Sequence, residues 1–98
     1  MYYGVFVVKV LIKSPCSASL IIQYGIKNWP IWEREPCNFS WIYREKEICY
    51  IIEGEAKIKT EAGESYLIKS GDLVEFPEGL SCEWQIIKSL KKHFRLGE

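Results

Sequence analysis

From residue 29 to the C-terminus, apolar side chains recur at every second position, in short runs that glycines and prolines separate. Such alternation is typical of β-strands, because successive side chains of a strand point to opposite faces of the sheet. No second amphipathic helical pattern interrupts these runs. About seven or eight short strands at this spacing predict an all-β sandwich or small barrel.

Two neighbouring runs differ in the number of apolar faces that must be buried. In the first, Phe39, Trp41 and Tyr43 share one face, while Ser40 and Arg44 lie on the other, as in a half-buried strand. The next run, residues 47–53, carries apolar side chains on both faces. A strand of this kind needs cover on both sides, as a central strand or at a subunit contact.

The rest of this region continues the β pattern. Residues 55–69 predict a hairpin, and residues 73–76 predict a short strand between two turns. Residues 82–86 give a further inward face, and a last strand is expected over 90–96. Gly54 is expected at a turn with a positive φ, where a side chain would cause strain.

The N-terminal part is expected to contain the one helix of the chain. Ser14 and Pro15 have the pattern of an N-cap and a first helical residue, and Gly25 that of a C-terminal stop. Residues 1–25 are therefore expected to form a strand and a short helix packed on a barrel of residues 26–98.

Length and charge exclude several classes of protein. A chain of 98 residues has room for one domain with one core. Its 13 basic and 13 acidic residues balance, so no long-range field would attract nucleic acid or an anionic membrane. The apolar stretch 1–12 is shorter than the roughly 20 residues of a membrane helix and has no charged n-region. We therefore expect a cytoplasmic protein, with neither nucleic acid nor membrane as a partner.

The four cysteines, Cys16, Cys37, Cys49 and Cys82, contain no CxxC pair and no zinc-finger spacing. In a reducing compartment they are expected to be mostly free thiols.

Two glycine-bearing motifs resemble the signatures of the cupin superfamily. The second signature, G-x5-P-x-G-x2-H-x3-N, is matched by Gly71, Pro77 and Gly79, while Cys82 stands at its histidine and Ile86 at its asparagine. The chain therefore resembles a cupin-type β-barrel, also called a double-stranded β-helix or jelly roll.

The first signature, G-x5-H-x-H-x(3,4)-E-x6-G, is similar only at its end. Glu47 and Gly54 are in place, Trp41 and Tyr43 stand at the two histidine positions, and the opening glycine is missing. The runs 29–33, 47–54 and 79–84 are similar to small one-domain cupins grouped with the ureidoglycine aminohydrolase cupin domain and the ethanolamine-utilisation cupins. By analogy alone, this resemblance implies ureide-like or amine-related chemistry.

The resemblance also implies where a metal would bind. A standard cupin holds Mn, Fe, Ni or Zn with three imidazoles and one carboxylate, and here all three histidine positions are replaced. We therefore expect no metal cofactor. A site made of Glu47, Cys49 and Cys82 is the alternative, because thiolates and a carboxylate can hold zinc; the two cysteines can equally be buried apolar side chains.

Glu47 is the main candidate for function. A carboxylate that faces a barrel lined by Trp41, Tyr43 and Trp84 must be paired, or neutral with a raised pKa. The first state would anchor a ligand, and the second would suit a general acid or base. A structural hydrogen bond is the plain alternative. Cys82 as a nucleophile would need a base, and no histidine is aligned with it.

Two cationic candidates lie on the last strand. Lys92 shares strand parity with Leu90 and Phe94, so its ammonium either enters the cavity to pair with Glu47 or lies at the barrel rim. His93, the only histidine, falls on the opposite parity and points outward unless a β-bulge reverses it.

The four tryptophans can form an aromatic cage or pack in the core. Trp41 and Trp84 are expected to line the cavity, whereas Trp29 and Trp32 are expected to cover an open end.

Three functions remain open from the sequence, and none establishes an enzyme. The first is metal-independent binding of a small polar or nitrogenous molecule around Glu47 and Cys82. The second is a non-catalytic homodimer formed through Ile48, Tyr50 and Ile52. The third is a thiolate metal site.

Overall fold

The computed structural model describes residues 9–97. Its regular elements, in chain order, are β1 (Leu11–Lys13), α1 (Ala18–Gln23), a 3₁₀ helix (Ile26–Asn28), β2 (Ile31–Arg34), β3 (Asn38–Ile42), β4 (Glu47–Thr60), β5 (Ser65–Lys69), β6 (Leu73–Phe76) and β7 (Ser81–Leu96). The seven strands pair antiparallel throughout. The expected all-β fold with one short α-helix is therefore confirmed.

Two long strands, β4 and β7, pair along most of their length and organise the fold. In the first sheet half, the start of β4 pairs with the end of β7, and further strands extend the sheet on both sides in the order β1-β6-β4-β7-β2. In the second sheet half, the end of β4 pairs with the start of β7, while β5 pairs with β4 and β3 pairs with β7. Each long strand therefore belongs to two sheet halves, which face one another as the layers of a small cupin-type barrel.

The bend between the halves lies at Gly54. The pairing of β4 with β7 shifts register between residues 51 and 56, which marks β-bulges. Gly54 has a φ of 97°, and a Cβ there would lie 2.2 Å from the carbonyl oxygen of Ser89. The positive φ is confirmed, but the expected turn is wrong: Gly54 lies inside a continuous strand, where a close backbone approach excludes any side chain.

The expected strand over residues 90–96 is also part of a longer element. It continues the inward-facing run that contains Cys82, Trp84 and Ile86, and together they form β7. The hairpin of β4 and β5 is confirmed, with Gly63 at positive φ in its turn.

The main core fills the space between the two halves. It consists of buried apolar side chains from both, namely Val10, Tyr43, Cys49, Ile51, Ala56, Ile58, Ile68, Val74, Phe76, Leu80, Cys82, Trp84, Ile86 and Leu90.

A second, smaller core covers the outer face of β4 and β6. Ile48 and Leu73 pack there with Cys16, Ile26 and Trp29, and α1 adds Leu20 and Ile21 at its edge. The prediction that β4 needs cover on both faces is confirmed, and the N-terminal segment of the same chain supplies that cover. Ile48 is 5% exposed, so it is not available for the subunit contact that the sequence left open.

The N-cap of α1 differs from the prediction. Ser17 caps the helix by accepting a hydrogen bond from the Leu20 amide, so Ser14 does not. Ser14 instead donates its hydroxyl proton to the buried carboxylate of Asp72 and ties the start of this segment to the turn before β6. The stop at Gly25 is confirmed, since this residue follows the C-cap Tyr24 with a φ of 61°. Residues 1–8, expected to contribute an N-terminal strand, lie outside the described part of the chain.

Across residues 9–97, no helix has the length and apolarity required to cross a membrane.

Candidate functional site

A cavity of about 260 Å³ opens beside the inner faces of β2, β3, β4 and β7. Strand parity selects its walls, because alternate residues of each strand point inward. They are Trp32, Arg34, Phe39, Trp41, Tyr43, Glu47, Trp84, Lys92, Phe94 and Leu96. Five of the residues predicted from the sequence, Trp41, Tyr43, Glu47, Trp84 and Lys92, are therefore brought together at one site.

A buried ion pair forms the polar centre of this cavity. Lys92 Nζ donates to Glu47 Oε2 at 2.6 Å, and the two side chains are only 7% and 9% exposed. Glu47 opens β4 and Lys92 lies on the neighbouring stretch of β7, on the parity that the sequence predicts. Burial of either charge alone would be strongly unfavourable, so each requires the other.

Two indole rings flank the ammonium of this pair. Lys92 Nζ lies 4.9 Å from the ring centroid of Trp32 and 4.9 Å from that of Trp84. Trp32 is the direct cross-strand neighbour of Lys92 in the β2–β7 pairing. Because the face of an indole carries negative potential, both contacts stabilise the charged form of the lysine.

Stacked aromatic rings hold the walls in place. Trp84 stacks on Phe39 at a centroid distance of 5.8 Å and 9° between planes, and Tyr43 stacks on Phe76 at 4.7 Å and 7°. Trp41 meets Tyr43 edge-on at 6.4 Å. Such offset and edge-on pairs are the favoured aromatic geometries, so they give the cavity a defined shape.

Tyr43 and Trp84 each carry a buried polar group at these walls. Burial, with a smaller contribution from the negative charge of Glu47, raises the pKa of the Tyr43 phenol, which therefore stays protonated at neutral pH. The indole nitrogen of Trp84 is buried beside the Tyr43 phenol and the Cys82 thiol, and it forms no hydrogen bond of good geometry among residues 9–97.

The predicted cysteines lie in the core behind the cavity. Burial raises the pKa of Cys49 to about 12, and burial likewise raises that of Cys82 to about 11. Both thiols are therefore protonated at neutral pH, whereas nucleophilic attack requires the thiolate. Cys16, Cys37, Cys49 and Cys82 are all free of disulfides.

These residues do not fit a metal ion. Among the described residues, no three His, Cys, Asp or Glu side chains are grouped to hold one, so Glu47, Cys49 and Cys82 do not form a ligand set. The ammonium of Lys92 already lies against the carboxylate of Glu47. A divalent cation at Glu47 would have to displace that ammonium or lie beside it in like-charge repulsion.

Trp29 and His93 lie on the other side of the sheet from the cavity. The His93 ring donates from Nδ1 to the Trp29 carbonyl at 2.9 Å, and Trp29 belongs to the second core. The outward direction expected for His93 is therefore seen, and neither residue is among those that line the cavity.

Four cavity residues, Arg34, Phe39, Phe94 and Leu96, were not among the candidates from the sequence, and Trp32 was expected only as a cover. The signal for Arg34 was its parity: it lies two residues after Trp32, on the same face of β2. The sequence did not show that β2 pairs with the end of β7, which places this face against Lys92.

The site therefore has hydrogen-bond donors and acceptors side by side, and both are available to a ligand. Only Oε2 of Glu47 is occupied by Lys92, so the carboxylate can still accept, and the ammonium carries further N–H groups. The aromatic walls can cover a flat molecule from its faces.

Comparisons with known proteins show which family has this architecture. The family model of EutQ-like cupin domains matches residues 23–94. The comparison with curated proteins gives no match. Among solved structures, a DUF861-family protein from Thermotoga maritima is 40% identical, with a TM-score of 0.87 over 90% of this chain and 99% of that chain.

Two further solved structures are similar at a lower level. A putative ethanolamine utilization protein Q from Salmonella typhimurium is 27% identical, with a TM-score of 0.63 over 68% of this chain and 54% of that one. The EutQ protein of Clostridium difficile, 22% identical over 68% of this chain and 52% of that one, shares the fold at a TM-score of 0.63. With its barrel described and residues 23–94 matched, the chain belongs to the family of EutQ-like cupin domains.

Proposed function

We propose that this cupin domain binds a small, flat, nitrogen-containing organic molecule in the cavity, and that it does so without a metal ion. The supporting observation is the Lys92–Glu47 pair, which is buried beside two indoles and lines the cavity. An amide, amidine or ureide head group carries N–H donors for the carboxylate, and amides and ureides add an acceptor for the ammonium.

The size of the cavity limits the ligand to about one ring. Ligand pockets are typically roughly 300–1,000 Å³, so the cavity of about 260 Å³ lies just below that range. A dry cavity of roughly 150 Å³ accommodates benzene. A single ring with one or two polar substituents therefore fits the space.

The test is a calorimetric titration of the protein, in the presence of a chelator, with benzamide, benzamidine and phenylurea. We expect saturable binding of at least one of them, with a Kd of about 1 mM or tighter. Lys92→Met and the double variant Glu47→Gln/Lys92→Met are expected to weaken it at least tenfold.

The matched control is Lys91→Met, because Lys91 neighbours Lys92 but points away from this cavity. Circular dichroism of each variant establishes that it is folded. The proposal is overturned if none of the three compounds binds the wild-type protein, if binding requires an added metal, or if the folded double variant binds as well as wild type.

A further inference from the structure

A second cation lies at this cavity besides the one that neutralises Glu47. The walls contain two cationic side chains, Arg34 and Lys92, against the single carboxylate of Glu47. Since Lys92 and Glu47 form a contact pair at 2.6 Å, the excess positive charge belongs to Arg34.

Arg34 is held beside the cavity by an aromatic ring. Its guanidinium carbon lies 4.5 Å from the ring centroid of Phe39, which is itself a wall residue stacked on Trp84. A guanidinium stacked in this way keeps the hydrogen-bonding edges of its plane free, and these edges match a carboxylate with two parallel bonds.

The neighbouring carboxylates do not use this guanidinium. Glu33 and Glu35, which precede and follow Arg34, line a second, open depression that Arg34 itself and Glu53 also border. Within residues 9–97, neither of them forms a salt bridge with Arg34. Its charge is therefore available to a ligand.

We infer that the molecule bound in this cavity is an organic anion, in which a carboxylate on the flat body pairs with Arg34 while the nitrogenous head group meets Glu47 and Lys92. This inference rests on the proposed function and adds the charge of the ligand to it. The Lys92–Glu47 pair holds the polar head, the indoles cover the ring, and Arg34 selects the acid over its uncharged amide.

The experiment compares acids with neutral partners of nearly equal size. The 3- and 4-carbamoylbenzoates are titrated into the protein beside isophthalamide and terephthalamide, the diamides in which the carboxylate is replaced, with benzamide as the common reference. We expect at least one acid to bind tenfold or more tightly than its diamide at low ionic strength. We expect that preference to shrink as salt is added, because the charge of Arg34 is near the surface.

Arg34→Gln is expected to bring the ratio of acid to diamide affinity close to one. Arg34→Lys is expected to restore part of the ratio, since it keeps the charge but loses the planar fork. Arg44→Gln is the matched control: it removes the same charge from a neighbouring depression that does not include Arg34.

The outcomes separate the inference from the proposed function. If benzamide binds but acids and diamides bind equally, the inference is overturned and the proposed function stands. If Arg44→Gln lowers the ratio as much as Arg34→Gln does, the effect comes from net charge and the assignment to Arg34 is overturned. If no compound binds at all, both fail together.

Discussion

The residue on which this site depends is Lys92. It satisfies a carboxylate that would otherwise be buried without a partner, and it is itself stabilised by two indoles. Continuum estimates and experiment agree that a buried ion pair adds little stability over an apolar pair of the same shape. Removal of one partner is different, because it leaves the other charge buried and unpaired.

We therefore expect Lys92→Met to lower the free energy of unfolding by about 3–5 kcal/mol. The double variant Glu47→Gln/Lys92→Met should recover a large part of that loss, since it removes both charges. Urea unfolding monitored by circular dichroism measures all three proteins. A double variant that is less stable than Lys92→Met would contradict the pairing, and a loss below about 1 kcal/mol in the single variant would show that Glu47 finds another partner.

At the scale of single residues, the sequence supported a correct prediction of which side chains face inward. Their positions in the cupin motifs placed Trp41 and Trp84 at the cavity, parity put Tyr43 on the same face as Trp41, and parity placed His93 outside. Parity also left two places for Lys92, the cavity and the rim, and only the pairing of β4 with β7 shows which is occupied. Arg34 was missed because its neighbours across the sheet are far away in the sequence.

At the scale of elements, β4 and β7 determine the shape of the site, because both continue from one sheet half into the other. Glu47 and Lys92 belong to the first half, while Trp84 belongs to the second. The bend at Gly54 therefore brings the ion pair and its indole wall face to face. A strand that passes through a bulge has the same local sequence pattern as two strands joined at a turn, which is why the sequence predicted a turn there.

Gly54→Ala tests the bend. The new Cβ would lie 2.2 Å from Ser89 O and 2.8 Å from Leu90 Cα, both of them backbone atoms, so the strands must separate. We expect a loss of about 3 kcal/mol or more in the free energy of unfolding, or failure to fold. Gly63→Ala is the matched control: its φ of 90° is similar, but a Cβ there meets nothing within 4 Å.

Gly63→Ala should therefore show only the strain of the positive φ, about 1–2 kcal/mol. Urea unfolding gives both values. Equal losses in the two variants would mean that β4 and β7 do not approach closely at Gly54.

In the molecule as a whole, the N-terminal segment covers the outer apolar face of β4 and β6. Without α1 and the 3₁₀ helix, the outer face of β4 would expose Ile48, and that of β6 would expose Leu73. The sequence showed that β4 needed cover on both faces but not what supplied it, because an intramolecular layer and a subunit contact leave the same pattern. The predicted homodimer stays a prediction, and its contact cannot include the buried Ile48.

The barrel itself was predictable, because the glycine and proline positions of the cupin signatures survive where the histidines do not. The side chains that surround Glu47 were not predictable from those motifs. Trp41 and Tyr43 took two histidine positions, and the cation beside Glu47 came from the last strand, outside both signatures. We propose that this cation, Lys92, acts where another cupin would hold a metal ion.

That claim is tested most directly by elemental analysis of the purified protein. The protein is incubated with Mn, Fe, Ni and Zn salts, desalted and measured by mass spectrometry beside Glu47→Gln and Cys82→Ser. We expect far less than one metal ion per chain in all three, because the ammonium of Lys92 occupies the carboxylate of Glu47. Near-stoichiometric metal in the wild-type protein that is lost in Glu47→Gln would show instead that Glu47 holds a metal ion.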